Sequence, residues 1–237
     1  MNILATSGGF RGNDRGMYDA GPLVQHALRL SGAERPRFCF VGTATGDSDR
    51  YLTLVYAAMA ALGGVDASHL TLFQMPNVPD VRQHLLAQDV IYVGGGSVAN
   101  LLALWRLHGL DHVMREAWES GVVLTGVSAG SICWHVGGPT DSFGPTLRPV
   151  TNGLGLLPYG NGVHYDSEEQ RRPLLHRLVE DGTLPMSYAT DDGVGLHYAG
   201  TELVEAVADR PEAAAYRIEA LARGGVTETG IQPRLLS

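Results

Sequence analysis

Short apolar runs alternate with amphipathic segments along the first half of the chain. Apolar residues in these segments recur at three- and four-residue spacing, which is the period of a helix with one buried face. The predicted strands are Met1–Thr6, Arg37–Val41, Leu70–Gln74, Val90–Val93 and Val122–Val127. The predicted helices are Asp19–Leu30, Ser48–Leu62, Val81–Ala87, Val98–Leu107 and Asp111–Ser120. This alternation of nearly all-apolar strands with helices predicts an α/β fold, a parallel sheet with helices on both faces.

The pattern changes in the C-terminal third. Three short strands follow one another there with little helix between them: Met186–Thr190, Val194–His197 and Leu203–Val207. They predict a small antiparallel extension of the same sheet. No linker separates a second domain, so residues 1–237 are expected to form a single domain. Residues 225–237, rich in Gly, Thr and Pro, are expected to be a loosely held tail.

Net charge and cysteine content limit the partners and the cellular compartment that are expected for this chain. A net charge of −8 argues against nucleic acid and anionic membrane as partners. The two cysteines, Cys39 and Cys133, lie in apolar contexts and are interpreted as buried free thiols, which suits the cytoplasm. The first residues are interpreted as a strand and not as a signal peptide, and no apolar run is long enough to span a bilayer.

The strongest chemical signal is the run from Gly126 to Gly130, Gly-Val-Ser-Ala-Gly. It follows an apolar strand and precedes a segment that favours helix, which is the context of a nucleophile elbow. Such a turn presents the serine hydroxyl at the sheet edge and aims free backbone N–H groups at an oxyanion. Ser128 is therefore the candidate nucleophile, and the amide of Ala129 is a candidate oxyanion donor.

A nucleophilic serine needs a base and an orienting acid. Of nine histidines, His164 is the best placed candidate base, because it follows a long glycine-rich loop and leads toward a helix. Two carboxylates compete for the role of the acid. Asp141 lies in a loop soon after the elbow, and Asp192 ends an apolar run that is predicted to be a strand. The residues alone do not choose between them.

The second oxyanion donor is expected to be the amide of Gly95 or Gly96, in the triplet that joins a predicted strand to a predicted helix. The triplet lacks the Lys-Ser/Thr of a phosphate-binding loop and the glycine spacing of a dinucleotide site. Neither a cofactor nor a metal is expected.

These blocks together resemble peptidase family S51, which contains dipeptidase E and cyanophycinase. The resemblance rests on five blocks in order: Phe40–Ala44, Tyr92–Ser97, Gly126–Ser131, the segment around His164, and Thr190–Gly193. It implies a flavodoxin-like fold related to class I glutamine amidotransferases, and a serine peptidase with Ser128 as nucleophile and His164 as base. The acid of dipeptidase E corresponds best to Asp141 and that of cyanophycinase to Asp192; Asp141 is slightly preferred.

The resemblance also implies a short peptide substrate. Dipeptidase E holds an acidic side chain with an arginine, for which Arg171 and Arg172 are candidates, with Arg148 as a further one. The alternative for Arg171 and Arg172 is a solvated helix face. Cleavage of Asp-X peptides therefore stays open, as does assembly into a homodimer. Two other functions compete: an esterase of the α/β-hydrolase type, and a non-catalytic, amidotransferase-like ligand-binding domain.

Overall fold

Sixteen strands and seven α-helices make up the structure, a computed structural model that describes residues 1–237. The strands are β1 Asn2–Thr6, β2 Phe10–Gly12, β3 Tyr18–Ala20, β4 Arg37–Val41, β5 Asp66–Leu70, β6 Val90–Val93, β7 Val123–Val127, β8 Gly138–Thr140, β9 Arg148–Val150, β10 Gly160–Gly162, β11 Ser187–Thr190, β12 Val194–Ala199, β13 Glu202–Ala208, β14 Ala215–Ala220, β15 Val226–Ile231 and β16 Arg234–Leu235. The helices are α1 Pro22–Leu30, α2 Asp49–Leu62, α3 Val81–Leu86, α4 Val98–His108, α5 Leu110–Glu119, α6 Ala129–Ile132 and α7 Arg171–Glu180.

The central sheet has eight strands in the order β16-β13-β12-β1-β7-β6-β4-β5. Within this order β1, β7, β6, β4 and β5 are parallel. On the other side of β1, β12 pairs antiparallel with β1, and β13 pairs antiparallel with β12. The predicted α/β fold with a large, mostly parallel central sheet is therefore confirmed. The relation to flavodoxin and to class I glutamine amidotransferases stays a prediction, as does the single-domain organisation.

Helices cover both faces of this sheet, as the apolar strands predict. Along β4, Phe38 and Phe40 join a core cluster that includes α1 and α2, whereas Cys39 and Val41 join one that includes α4 and α5. Successive side chains of a strand point to opposite faces, so a strand buried on both faces must be apolar at every position. Because β1, β7, β6, β4 and β5 run parallel, the loops that follow their carboxyl ends lie together at one edge of the sheet.

The C-terminal part differs from expectation in one strand. The strand after α7, β11, does not join the central sheet but lies in a second sheet of order β10-β11-β14-β15. It pairs in parallel with β10 and antiparallel with β14. Helix α7 covers this sheet through Leu174, Leu175 and Leu178, which share a small core with Ile218 of β14. One face of this sheet therefore has a core of its own, whereas Tyr188 of β11 and Ala215 of β14 join the main core. The predicted strands at 194–197 and 203–207 do extend the central sheet.

The expected loose tail is instead paired. Strand β15 runs antiparallel to β14, and β16 pairs with β13 at the edge of the central sheet. Leu236 is buried in the same core as α1 and α2. The alternating Thr residues of β15 suit a half-buried pleated surface, which glycine and proline content alone does not reveal.

Two features near the sheet edges were not predicted. The strand expected at Leu70–Gln74 lies earlier, at β5, whose polar residues are tolerated because β5 is an edge strand. A hairpin of β2 and β3 follows β1, and the side chain of Asn13 holds its turn by accepting from the N–H groups of Arg15 and Met17. The other predicted elements of the first half of the chain agree with the structure to within three residues at each end.

Both cysteines are buried and unpaired, as expected. Burial raises the pKa of the Cys39 thiol to about 12 and that of Cys133 well above its usual range. Both thiols are therefore held in the protonated, unreactive form. None of the helices combines the length and the apolar composition that crossing a bilayer requires.

Candidate active site

Ser128 occupies a strained turn between β7 and α6. Its backbone angles are φ 56° and ψ −110°, a conformation that residues with a side chain rarely adopt. Its N–H donates to Thr6 O at 3.1 Å, and its carbonyl accepts from the N–H groups of Ser131 and Ile132 at 2.8 and 2.9 Å. The surrounding hydrogen bonds therefore hold the strained residue from both sides.

The two glycines of the turn are required by close backbone approach. A β-carbon built on Gly126 would lie 2.5 Å from Val93 O, and one on Gly130 would lie 2.2 Å from the same oxygen. Both distances are well inside van der Waals contact. The turn can therefore sit against β6 only when both positions lack a side chain.

His164 follows β10 and is paired with a carboxylate. Its Nδ1 lies 2.5 Å from Asp192 Oδ1, in a partly buried pair. An ionised carboxylate only accepts, so the pairing places the hydrogen on Nδ1 and the lone pair of the neutral ring on Nε2. The backbone of His164 also has a positive φ, 54°, and its N–H donates to Ser7 Oγ at 3.2 Å.

The end of β1 brings these groups together. Thr6 O holds the amide of Ser128, and Ser7 Oγ holds the amide of His164. The carbonyl of Ser7 accepts from the N–H of Gly193, next to Asp192, at 2.9 Å. Two consecutive residues thus fix the serine, the histidine and the carboxylate at the carboxyl edge of the sheet. Sequence reasoning missed Ser7; its position directly after a buried strand was the available signal.

The predicted oxyanion donors lie beside the serine. A β-carbon on Gly95 would lie 3.4 Å from Ser128 Cβ, and neither Gly95 nor Gly96 donates to a backbone carbonyl. Ala129 opens α6, so its N–H has no partner within the helix. Burial raises the pKa of Tyr51, and the Gly95 amide, which faces the phenol oxygen, acts in the opposite direction. Tyr51 is thus a neighbour of this loop that the sequence did not indicate.

Asp141, the slightly preferred acid, lies elsewhere. It is exposed after β8 and shares a shallow pocket with Glu168 and Glu169. The carboxylate that is hydrogen-bonded to His164 is that of Asp192 and not that of Asp141. The physical reason is strand pairing. β10 and β11 are parallel neighbours, so the residues that follow their carboxyl ends meet at one edge.

Arg171 does not lie on a solvated helix face. It is 1% exposed, its Nε donates to Glu168 Oε2 at 2.8 Å, and its Nη1 donates to the carbonyl of Pro139. These bonds join the start of α7 to the strand β8. Its placement favours a structural role over recognition of a carboxylate.

The other two arginines are more accessible. The guanidinium of Arg172 lies 4.7 Å from the ring centroid of Tyr165 and 4.9 Å from that of Tyr216, and 3.5 Å from Glu228. Arg148 is exposed on β9. Arg171 and Arg172 are thus both paired with a carboxylate, whereas Arg148 is exposed on its strand.

One cluster elsewhere has the side chains of a metal site. His26, His197 and Glu205 bring possible ligand atoms within 4.8 Å of one another. Both oxygens of Glu205, however, accept from Arg234 at 2.8 Å. Burial lowers the pKa of both histidines. The cluster is therefore an ion pair beside two neutral imidazoles, with a cation already occupying the carboxylate.

Comparison with known proteins identifies the class of protein to which this chain belongs. The model of peptidase family S51 matches residues 3–206. The uncharacterized peptidase YgaJ of Bacillus subtilis (strain 168) is 46% identical over 196 residues, which cover 83% of this chain and 84% of that protein. Peptidase E of Shewanella denitrificans (strain OS217) is 29% identical over 196 residues, 77% of this chain and 80% of that protein.

A solved structure agrees in fold. A crystal structure of a peptidase from an acI-B1 Actinobacterium superposes with a TM-score of 0.70 over 98% of this chain and 94% of its own, at 17% identity. The matches define the chain as a peptidase. More narrowly, it belongs to peptidase family S51.

Proposed function

We propose that this peptidase is a serine peptidase of short peptides in which Ser128 is the nucleophile, His164 the base and Asp192 the orienting acid. One observation carries the proposal. The strained Ser128 and the His164–Asp192 pair are bonded to consecutive residues at the end of one strand, Thr6 and Ser7. A nucleophile, a base and an orienter fixed at one sheet edge are the parts that acyl transfer requires.

In the first half of the reaction, Ser128 Oγ attacks the carbonyl carbon of the peptide bond. His164 Nε2 takes the hydroxyl proton as the carbon–oxygen bond forms. Asp192 keeps the ring in the tautomer that can accept at Nε2 and stabilises the imidazolium. The negative oxygen of the tetrahedral intermediate is held by the amides of Ala129 and of Gly95 or Gly96.

The intermediate then collapses. The carbon–nitrogen bond breaks, His164 gives its proton to the departing amine, and an ester on Ser128 remains. Water attacks this ester, and His164 takes one of its protons. Collapse of the second intermediate releases the carboxylic acid and returns the proton to Ser128 Oγ, so the enzyme is restored.

The chain order of the three residues favours a peptidase of this type over the esterase alternative. Enzymes of the α/β-hydrolase fold place the acid before the histidine. Here the carboxylate on His164, that of Asp192, comes after it. A domain that only binds a ligand would need neither the strain at Ser128 nor this pair, because strain is kept where function requires it.

Specificity for acidic side chains needs a free cation. Because Arg171 is bound to Glu168 and Pro139, and Arg172 is paired with Glu228, the exposed Arg148 is the candidate that we test for this part of the proposal. The variant Arg148→Gln should lower kcat/KM for Asp-X peptides more than for other dipeptides. An equal loss for all peptides, or no loss at all, contradicts the assignment.

Hydrolysis of a peptide panel tests the function. The panel holds dipeptides and tripeptides, Asp-X included, with free or blocked C-termini, and matched p-nitrophenyl esters. Wild type should cleave some of the peptides, Ser128→Ala none, and Ser120→Ala the same ones as wild type. Ser120 is an exposed serine at the end of α5 and is the matched control. Peptide cleavage that survives in Ser128→Ala, or turnover of esters alone, would contradict the proposal.

A further inference from the structure

The main chain of Asp192 is held from two sides by a charged pair. Its N–H donates to Asp166 Oδ1 at 2.8 Å, and its carbonyl accepts from Arg210 Nε at 2.6 Å. A second nitrogen of Arg210 is ion-paired with the other oxygen of Asp166. The three residues therefore form a closed set of contacts that leaves the Asp192 carboxylate free to face His164.

Asp166 also ties Asp192 to the segment of the histidine. It lies two residues after His164, so one short stretch of chain contacts Asp192 twice. The first contact is the imidazole on the Asp192 carboxylate, and the second is the Asp166 carboxylate on the Asp192 amide. Such a double link fixes the distance and the orientation of the His164–Asp192 pair more narrowly than a single hydrogen bond can.

Arg210 reaches this point from a different element. It follows β13 by two residues, and the amide of its neighbour Asp209 donates to Gly193 O at 2.9 Å. Burial lowers the pKa of Arg210, but the hydrogen bond to Asp166 and the charges of Asp166, Asp192 and Asp191 raise it further, and the net direction is upward.

The ion pair stays intact at neutral pH. Burial raises the pKa of Asp166, but the Asp192 amide and the Arg210 guanidinium lower it further, and the net direction is downward. The Asp166 carboxylate is therefore charged at neutral pH. Both side chains are partly exposed, 32% for Asp166 and 43% for Arg210, so they can be changed without opening the core.

We infer that Asp166 and Arg210 are positioning residues, which hold Asp192 in register with His164 and do not contact the substrate. The inference rests on the proposed function of His164 and Asp192. Loss of either side chain should lower kcat by about 10- to 100-fold, with KM within about threefold, because misplacement by one ångström can cost as much. Arg210→Lys keeps the positive charge but loses the planar guanidinium with its two donating nitrogens, so its kcat should lie between those of Arg210→Gln and wild type.

The experiment compares Asp166→Asn, Arg210→Gln and Arg210→Lys with wild type. Arg37→Gln is the control, since Arg37 is likewise a partly exposed arginine that is ion-paired with an aspartate, Asp89, but lies at the amino ends of the strands, away from His164. Two readouts are used: kcat and KM on a peptide that wild type cleaves, and nitrogen-15 NMR of the His164 ring, assigned with His164→Gln. The NMR spectrum reports the fraction of His164 with its hydrogen on Nδ1, and it needs no substrate.

The inference expects Asp166→Asn and Arg210→Gln to lower kcat and to mix the His164 tautomers, while Arg37→Gln does neither. A rise in KM alone would make Arg210 a substrate contact and overturn it. A lower Tm with unchanged kcat and unchanged tautomers would show a structural role and overturn it too. If wild type cleaves no peptide, the proposed function fails, and the tautomer comparison still decides whether the pair positions Asp192.

Discussion

Asp192→Asn is the substitution that separates the two candidate acids. It keeps the size of the side chain but removes the charge opposite His164, whose Nδ1 lies 2.5 Å from Asp192 Oδ1. The new amide can donate to Nδ1, which moves the ring hydrogen to Nε2 and blocks proton uptake there. Asp141→Asn is the matched change at the carboxylate that the family resemblance slightly favours and that lies beside Glu168 and Glu169.

The expected loss of kcat in Asp192→Asn depends on how exposed the Asp192 side chain is. Where the corresponding carboxylate of a serine protease is buried, this change costs about 10,000-fold in kcat. The Asp192 side chain is 42% exposed, so water screens part of its charge and can replace part of its hydrogen bonding. We therefore expect a loss of about 100- to 1,000-fold, or about 3–4 kcal/mol of transition-state stabilisation.

The assay is steady-state hydrolysis of a peptide whose cleavage depends on Ser128. Asp192→Asn should lower kcat by this amount with KM nearly unchanged, because the carboxylate acts on proton transfer and not on binding. Asp141→Asn should stay within about threefold of wild type. The thermal midpoint of each variant shows that the compared proteins are folded.

The reverse result would refute this reasoning. A large loss in Asp141→Asn together with near-normal turnover in Asp192→Asn would place the acid on the loop after β8. The pair seen between His164 and Asp192 would then be a surface contact without a part in the reaction.

Three further predictions concern the scaffold. Gly130→Ala should lower the free energy of unfolding by at least about 2 kcal/mol, because the new carbon would overlap Val93 O, whereas Gly230→Ala, with open space around it, should match wild type; equal free energies in denaturant unfolding would contradict the contact. His135 is fully buried, and burial lowers its pKa to about 4. Above pH 6.5, the pKa of about 6.5 that His135 has in the unfolded chain, the ring is neutral in both states and the protein keeps its full stability. As the pH falls from 6.5 toward 4, the unfolded chain takes up a proton that the folded protein does not, and the free energy of unfolding falls by about 2 kcal/mol at pH 5. In urea unfolding, the drop in the free energy of unfolding between pH 7 and pH 5 should be smaller in His135→Gln than in wild type by this amount. Equal drops in the two proteins would contradict the role of His135. Arg171→Met should lower the free energy of unfolding by about 1–3 kcal/mol, because it leaves a buried carbonyl unpaired, without changing relative rates across the peptide panel; selective loss of Asp-X cleavage at normal stability would restore Arg171 as a substrate ligand.

The parts of the site that depend only on residues close in the sequence could be predicted from local sequence patterns. The glycine spacing around Ser128 predicts a tight turn between a strand and a helix, and the structure places one there. His164 was found because it follows a glycine-rich loop toward a helix. Both interpretations use neighbours within a few residues, where steric rules act directly.

The partners of these residues depend on strand pairing, which local patterns do not contain. Asp192 meets His164 only because β11 lies next to β10 in a second sheet, and the sequence had assigned that strand to the central one. Ser7 looks like an ordinary turn residue until β1 is known to adjoin both β7 and β12. Arg171 resembles a solvated helix residue because its carbonyl partner, that of Pro139, lies 32 positions earlier.

The most direct test of the central claim is covalent labelling of Ser128. A fluorophosphonate reacts with a serine that a neighbouring base has activated, and peptide mapping by mass spectrometry locates the adduct. The account predicts one adduct per chain, on Ser128, formed far more slowly in His164→Ala and Asp192→Asn and at the wild-type rate in Asp141→Asn. An adduct on another residue, or a rate at Ser128 that does not change when His164 is removed, would contradict it.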